Sequence, residues 1–236
     1  MINKKYILSI FLLFEAISSK AQLEYNFSKL AIGFGMSSIR GYTNLNKQDD
    51  HFAENINLTY FYSPYVPIAV ELQSGTLSGG SIITDKDKRQ YTNNYKALIF
   101  HGDLQLGQIV DYQYNGFLNF AKNFYVGSGF GFIQNNNKVQ RYSLNDPTYP
   151  FPGKDNSIDF MVPLRVGYEI KFYNFFHEPF MMIDIGYVHN IAFGEGLDGY
   201  NDSSARFRNN APDQYRQISV GVKFAFGNRT SYTKLE

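Results

Sequence analysis

"QISVGVKFAFGN", residues 217–228, alternates without a slip. Ile218, Val220, Val222, Phe224 and Phe226 share one face, and Ser219, Gly221, Lys223 and Ala225 share the other. A period of two marks a β-strand. In a water-soluble sheet the apolar side would be the core. The opposite side here is too small and too poor in charge to be an ordinary solvated face, so the rest of the chain must decide which side is the interior.

The first residues read as an address. Lys4 and Lys5 precede an apolar run from Tyr6 to Phe14, and Ser19-Lys20-Ala21 places small residues before Gln22, the pattern of a secretory signal peptide over residues 1–21. The run is much shorter than the ~20 apolar residues of a spanning helix. Residues 22–236 are then expected to form one exported domain, with no internal repeat and no linker. The chain has no cysteine, which removes disulfides, thiolate metal sites and cysteine lipidation. A net charge of +1 with no basic stripe gives no case for nucleic acid. Aromatics at 17%, twenty glycines and no tryptophan fit a β protein with polar loops. No segment after the leader is apolar enough for a membrane helix, so any crossing must use strands.

Alternation recurs in about eight segments of the ~10 residues that a tilted transmembrane strand needs. Leu30, Ile32, Phe34 and Met36 oppose Ala31, Gly33, Gly35 and Ser37; Ile56, Leu58, Tyr60 and Tyr62 oppose Asn57 and Thr59. Ile68, Val70 and Leu72 oppose Ala69, Glu71 and Gln73; Leu98, Phe100, Leu104 and Leu106 oppose His101, Asp103 and Gln105. Val126, Phe130 and Phe132 oppose three glycines, Leu164 to Ile170 oppose Arg165 to Lys171, and Ile183, Ile185 and Tyr187 oppose Asp184 and Gly186. Residues 217–228 complete the set. Long polar connections are expected at Ile39 to Glu54, Thr76 to Asn94, Asn135 to Asp159 and Gly194 to Gln214. Shorter ones are expected at Ser63 to Pro67 and Asn174 to Pro179, with Tyr112 to Asn123 the exception, and the segment Tyr95 to Phe124 has room for an extra strand pair.

Long loops on one side and short turns on the other predict an all-β fold, an eight-stranded antiparallel transmembrane β-barrel with long extracellular loops and short periplasmic turns. Such a barrel is only wide enough for side chains to fill it. Small residues then belong inside, and the apolar face of residues 217–228 points into lipid. Tyr62, Tyr65, Phe124, Tyr125, Phe172, Tyr173, Phe180 and Tyr215 are the expected interfacial girdles.

Ser219, Gly221, Phe224 and Phe226 give a polar residue, a glycine two later and then two aromatics spaced by one, which resembles the terminal-strand signal of outer-membrane barrels. With "YVGSGFGF" and "GEGLDGY" upstream, the chain resembles the small outer-membrane β-barrel proteins of the Gram-negative Bacteroidota, loosely akin to the porin family and to the OmpA-like membrane barrel. The resemblance covers essentially the whole chain after the leader. It implies location in the cell outer membrane, contact with outer-membrane lipid, and recognition of the last strand by the barrel assembly machinery. The polar tail Gly227 to Glu236 departs from barrels that end on the last aromatic, and no peptidoglycan-binding domain is expected.

On this parity Glu71, Asp103, Arg165, Glu169, Lys171, Asp184 and Lys223 point into the lumen with His101, and charges there persist only if paired. A salt-bridge network that plugs the barrel is expected, with Arg165 as a bidentate hub; the same residues would line a gated or narrow ion path in the alternative reading. Catalytic residues, metal and cofactor are all expected to be none. His51, His101, His177 and His189 are read as network or rim histidines, although His101 and Asp103 share a face. "GSGFG" has its glycines at period two with no helix after it, which suits room for neighbouring inward charges better than a nucleotide loop. Glu195, Asp198, Asp202 and Asp213 match no defined calcium loop, and solvated loop acidity is the simpler reading. Asp85 to Arg89 reads as a solvated loop tip. The expected role is structural or surface-interaction through the extracellular loops, with an extracellular ligand possible. The rivals are a narrow channel for ions or small solutes, a barrel enzyme acting on lipid or peptide, and a soluble periplasmic barrel lined by the apolar face.

Overall fold

Eight strands form because each carries the alternation described above, with β-branched and aromatic side chains on one face. The computed structural model describes residues 24–112, 115–201 and 212–233. In order these are β1 Glu24–Tyr42, β2 Asp50–Ser63, β3 Val66–Gly80, β4 Gln90–Gln105, β5 Phe124–Val139, β6 Asn156–Tyr173, β7 Pro179–Phe193 and β8 Gln214–Thr233. Every neighbour pairs antiparallel, and β1 pairs with β8 to close the barrel, so no free edge remains. The leader at residues 1–21 and Asp202 lie outside the described residues.

Closure turns the apolar faces outward. Val126 and Val220 are 61% and 55% exposed, whereas Lys223 on the other face of β8 is 8% exposed. Met36, Leu58, Leu72, Phe130 and Leu164 extend the same outer band around the wall.

The strands run farther than the ~10 residues a bilayer requires, and this shortens the expected loops. Ile39 is fully buried in the lumen, and β1 continues to Tyr42 before β2 begins at Asp50. The loop-end connections are therefore residues 43–49, 81–89, 140–155 and 194–213, while the turn-end connections are 64–65, 106–123 and 174–178. Residues 106–123 hold no extra strand pair among the described residues. They form a 3-10 turn at Leu106–Gln108 and a short helix, α1, at Gly116–Ala121. Asn115 caps α1, accepting from the N–H groups of Phe117 and Leu118. Phe120 stacks on Tyr168, which fixes α1 against the outer wall of β5 and β6.

The polar tail extends the sheet: past Phe226, β8 continues to Thr233 and pairs with Glu24 to Ser28. The register moves from Leu30↔Phe226 to Ser28↔Arg229, one extra residue on β8, and Gly227 takes φ +88° at that step. This is a bulge of the glycine type, which bends the ribbon. Beyond the bend, Phe27 and Tyr232 meet edge to face at the turn end.

Candidate functional site

The lumen is filled in layers, and the middle layer brings together all seven charged residues singled out in the sequence. Asp103 on β4, Gly127 on β5 and Arg165 on β6 share one row of the register. Arg165 Nε donates to Asp103 Oδ1 at 2.9 Å across the intervening strand. A Cβ at Gly127 would collide with that carboxylate, so the glycine is the gap through which the pair forms. His101 lies between Asp103 at 3.5 Å and Glu71 at 4.0 Å.

The second half of the layer is built around a like-charged pair. Glu169 and Asp184 sit directly opposite each other on β6 and β7, an arrangement that repels unless a cation intervenes. Lys223 Nζ supplies it from β8, at 2.8 Å from Glu169 and 3.4 Å from Asp184. Glu169 also accepts from Gln105 at 3.0 Å and faces Lys171 at 3.7 Å; Lys171 donates to Gln105 and to the Pro64 carbonyl. Glu169 is thus the hub. Arg165, expected to be bidentate, makes its single described bond through Nε because Asp103 approaches it sideways over Gly127.

Three tyrosines expected in the girdles are inside. Tyr65, Tyr125 and Tyr215 are 1%, 3% and 0% exposed, while Tyr62, Phe124, Phe172 and Phe180 do face outward and Tyr173 is half-exposed at a register shift by the turn end. The reason is parity: 125 and 215 fall on the same phase as Gly127 and Lys223. Tyr125 lies over Gly167 and Gly186, where added Cβ atoms would strike its hydroxyl, and donates to Asp184 at 3.1 Å. Tyr215 and Tyr95 both donate to Gln73 Oε1, and Gln73 donates to Gln217 at 2.8 Å, a neutral layer above the charges.

Above that layer the loop end is closed by an apolar cluster. Ile39, Leu77, Tyr91, Ile133 and Met161 from the strands pack with Leu197 and Tyr200 from the last loop and Phe151 from the third. Asn93 donates to the Leu197 carbonyl and Asn137 to that of Gly196, which tie the loop into the mouth. Two of the acidic residues of this loop are not solvated, Asp198 at 0% and Asp213 at 1% exposed, while Glu195 is half-buried. Asp198 accepts from Tyr200 N and Asp213 from Leu197 N. Burial pushes the Asp198 carboxyl up to about 6, and burial together with the neighbouring Asp198 raises Asp213 well above the ordinary range. No group of three or more ligating side chains that fits a metal occurs among the described residues. Arg89 also departs from the solvated reading, since it is buried with its guanidinium over the Tyr200 ring. At the turn end Phe27, Phe61 and Met182 close the other mouth with Tyr65, Tyr112 and Tyr232.

Of the residues whose spacing resembles a terminal-strand signal, Ser219 and Gly221 lie on the lumen side of β8, and Phe224 and Phe226 face outward. In the GSGFG stretch, Gly127 serves Asp103, whereas Cβ atoms on Gly129 and Gly131 would meet the backbone of β4.

One constellation escaped the sequence because it depends on a strand end. Ser78 Oγ lies 2.7 Å from His51 Nε2 and donates to Asp49 Oδ2 at 3.2 Å. A hydroxyl has one proton, and the carboxylate takes it, so His51 must donate to Ser78. A nucleophilic triad needs the carboxylate behind the imidazole instead. His177 occupies an exposed turn at φ +58°, and His189 faces outward between Tyr187 and Gln214.

No protein-family model matches the chain, and no curated protein matches it. Solved structures match in shape. Neisserial surface protein A is 14% identical, the match covering 86% of this chain and 99% of that one with a TM-score of 0.40. Ail, the attachment invasion locus protein of Yersinia pestis, is 10% identical over 84% and 99%, with a TM-score of 0.46. The outer membrane protein OprG from Pseudomonas aeruginosa is 11% identical over 87% and 100%, with a TM-score of 0.35. These are likenesses of barrel architecture.

Proposed function

We propose that the chain is a small outer-membrane barrel of the Bacteroidota type, exported by the leader at residues 1–21, that conducts nothing and acts through its loop end as a structural or surface-interaction protein. The observation that carries this reading is the filled lumen: an apolar cap, a glutamine and tyrosine layer, the ion-pair network and an aromatic floor follow one another along the axis. The cavity beside the network measures about 30 Å³, lined by Glu71, His101, Asp103 and the small residues of β1 and β8. That is room for one or two waters. The loop end, by contrast, exposes Ile83, Tyr142 and Leu144 at the tips of the second and third loops, which Asn145 joins through the Lys86 carbonyl. Apolar side chains on exposed loops suit contact with a partner. The outward apolar band supports lipid contact, and β8 with its glycine and two outward phenylalanines supports recognition by the assembly machinery. No catalytic or cofactor role is assigned.

The test is current across a planar bilayer holding the refolded protein, with the wild type compared with Arg165→Ala/Lys223→Ala. Silence in the wild type is expected. Discrete ion-selective steps that change with the substitutions would replace this reading with a narrow channel.

A further inference from the structure

Two arginines stand side by side on the outside of the wall. Arg40 on β1 and Arg216 on β8 are direct cross-strand partners, one outward position beyond Ser38 and Ile218, where the apolar band ends toward the loops. Like charges in that relation repel. A single carboxylate answers both: Asp50, paired with Arg40 in the register of β2, takes Arg40 Nη1 at 3.3 Å and Arg216 Nη2 at 3.4 Å. Two cations thus share one anion, and all three side chains are at least a third exposed. A guanidinium carries five N–H donors in a planar fork. Each uses one on Asp50 among the described residues, so most of both forks face outward unused.

The surroundings are aromatic. Tyr42 precedes the loop on β1, and Tyr187 faces outward on β7. Between them His189 is fixed on both nitrogens. Gln214 Oε1 can only accept, so Nε2 donates to it at 2.7 Å, and Nδ1 accepts from the Tyr187 hydroxyl at 3.3 Å. Its ring stacks on Tyr187 and approaches Tyr42 at 6.3 Å between centroids. His189 therefore has no donor left for a ligand, and it holds the two tyrosines as a wall beside the arginines.

Resting on the outer-membrane reading above, we propose that Arg40 and Arg216, flanked by Tyr42 and Tyr187, hold a phosphate on the sugar headgroup of an outer-leaflet glycolipid. Paired guanidinium forks match phosphate geometry. Tyrosine at headgroup level presents an apolar body and a polar tip. The place follows from the band: lipid covers the wall up to Ile218, and the headgroup level lies at the next outward position. An anion there relieves the repulsion that one carboxylate leaves uncompensated.

The experiment incorporates the refolded protein into nanodiscs of phosphatidylethanolamine containing diphosphoryl lipid A and measures lipid A retained on extraction, by native mass spectrometry. Insertion is checked in the same samples by protease resistance of the barrel. Retention by Arg40→Gln/Arg216→Gln should fall roughly 25-fold, about fivefold for each arginine at a membrane surface. Lys96→Gln, an outward cation on β4 remote from this row, should leave retention unchanged. Asp50→Asn should raise it by removing the competing anion. Dephosphorylated lipid A should be retained no better by the wild type than by the double variant, and millimolar inorganic phosphate should not compete. Equal retention by an inserted double variant would overturn the headgroup site while leaving the membrane reading intact. Competition by free phosphate would replace the lipid with a soluble anion. Failure of the wild type to insert at all would remove both.

Discussion

At the scale of single residues the lumen turns on Lys223. Glu169 and Asp184 face each other across β6 and β7, and among the described residues only Lys223 bridges the two. Replacing one partner of a buried ion set leaves uncompensated charge, at about 3–5 kcal/mol, whereas replacing the whole set by neutral groups of like shape is far milder. Lys223→Met should therefore lower the urea midpoint of the folded barrel sharply, read from the mobility of unheated samples on gels. Lys223→Met/Asp184→Asn, which removes one charge of each sign and leaves Glu169 paired with Lys171, should recover most of the loss although it changes two residues instead of one. If the double variant is the less stable of the two, Lys223 is merely filling space and the repulsion between the carboxylates is not what it holds.

At the scale of elements the decisive feature is the bend in the β1–β8 ribbon. Gly227 at φ +88° sits where an L side chain is strained, and the nearest atom to an added Cβ is Leu30 Cδ1 at 3.7 Å, so backbone conformation alone sets the cost. Gly227→Val should cost about 1–2 kcal/mol, and the cost should appear locally. Amides of residues 228–232 and of Phe27 should lose hydrogen-exchange protection, while those from Leu30 to Ile39 keep theirs. Uniform loss along β1 would mean that the tail and the barrel fold as one unit. This bend also marks what the sequence leaves unreadable. Alternation placed the strands and the lumen charges, because a period of two records which side of a wall a residue faces. It could not say that β8 continues past Phe226, because a polar tail and a polar ribbon have the same composition. Nor could it place Tyr65, which lies in a turn, whereas the phase that Tyr125 and Tyr215 share with Gly127 and Lys223 does put them inside. An aromatic near a strand end suits a girdle, and room for such a ring inside depends on glycines elsewhere in the chain, Gly167 and Gly186 of β6 and β7 for Tyr125, and Gly107 of the 3-10 turn for Tyr65.

At the scale of the whole molecule the loop end closes by burying acid. Leu197 enters the mouth with its N–H on Asp213 and Tyr200 with its N–H on Asp198, and these bonds, with the nearby Arg89, favour the ionised carboxylates. Burial acts the other way and is the larger effect for both residues. A carboxyl whose folded value is raised binds its proton more tightly in the packed loop than in the released one. The stabilisation is then complete below the ordinary Asp value of 3.8 and is lost as pH rises through about 6 for Asp198, and Asp213, raised in the same direction, adds a loss of the same sign. Amides of Leu197 and Tyr200 should accordingly exchange faster at pH 8 than at pH 5 by more than the intrinsic base dependence accounts for. Asp198→Asn should flatten that excess, since a neutral amide of the same shape has nothing to ionise. The glutamine and ion-pair layers lie below and do not depend on the loop, so bilayer current should stay absent at both pH values. Current that appears only at pH 8 would mean that the loop, rather than the charged layer, is what closes the barrel.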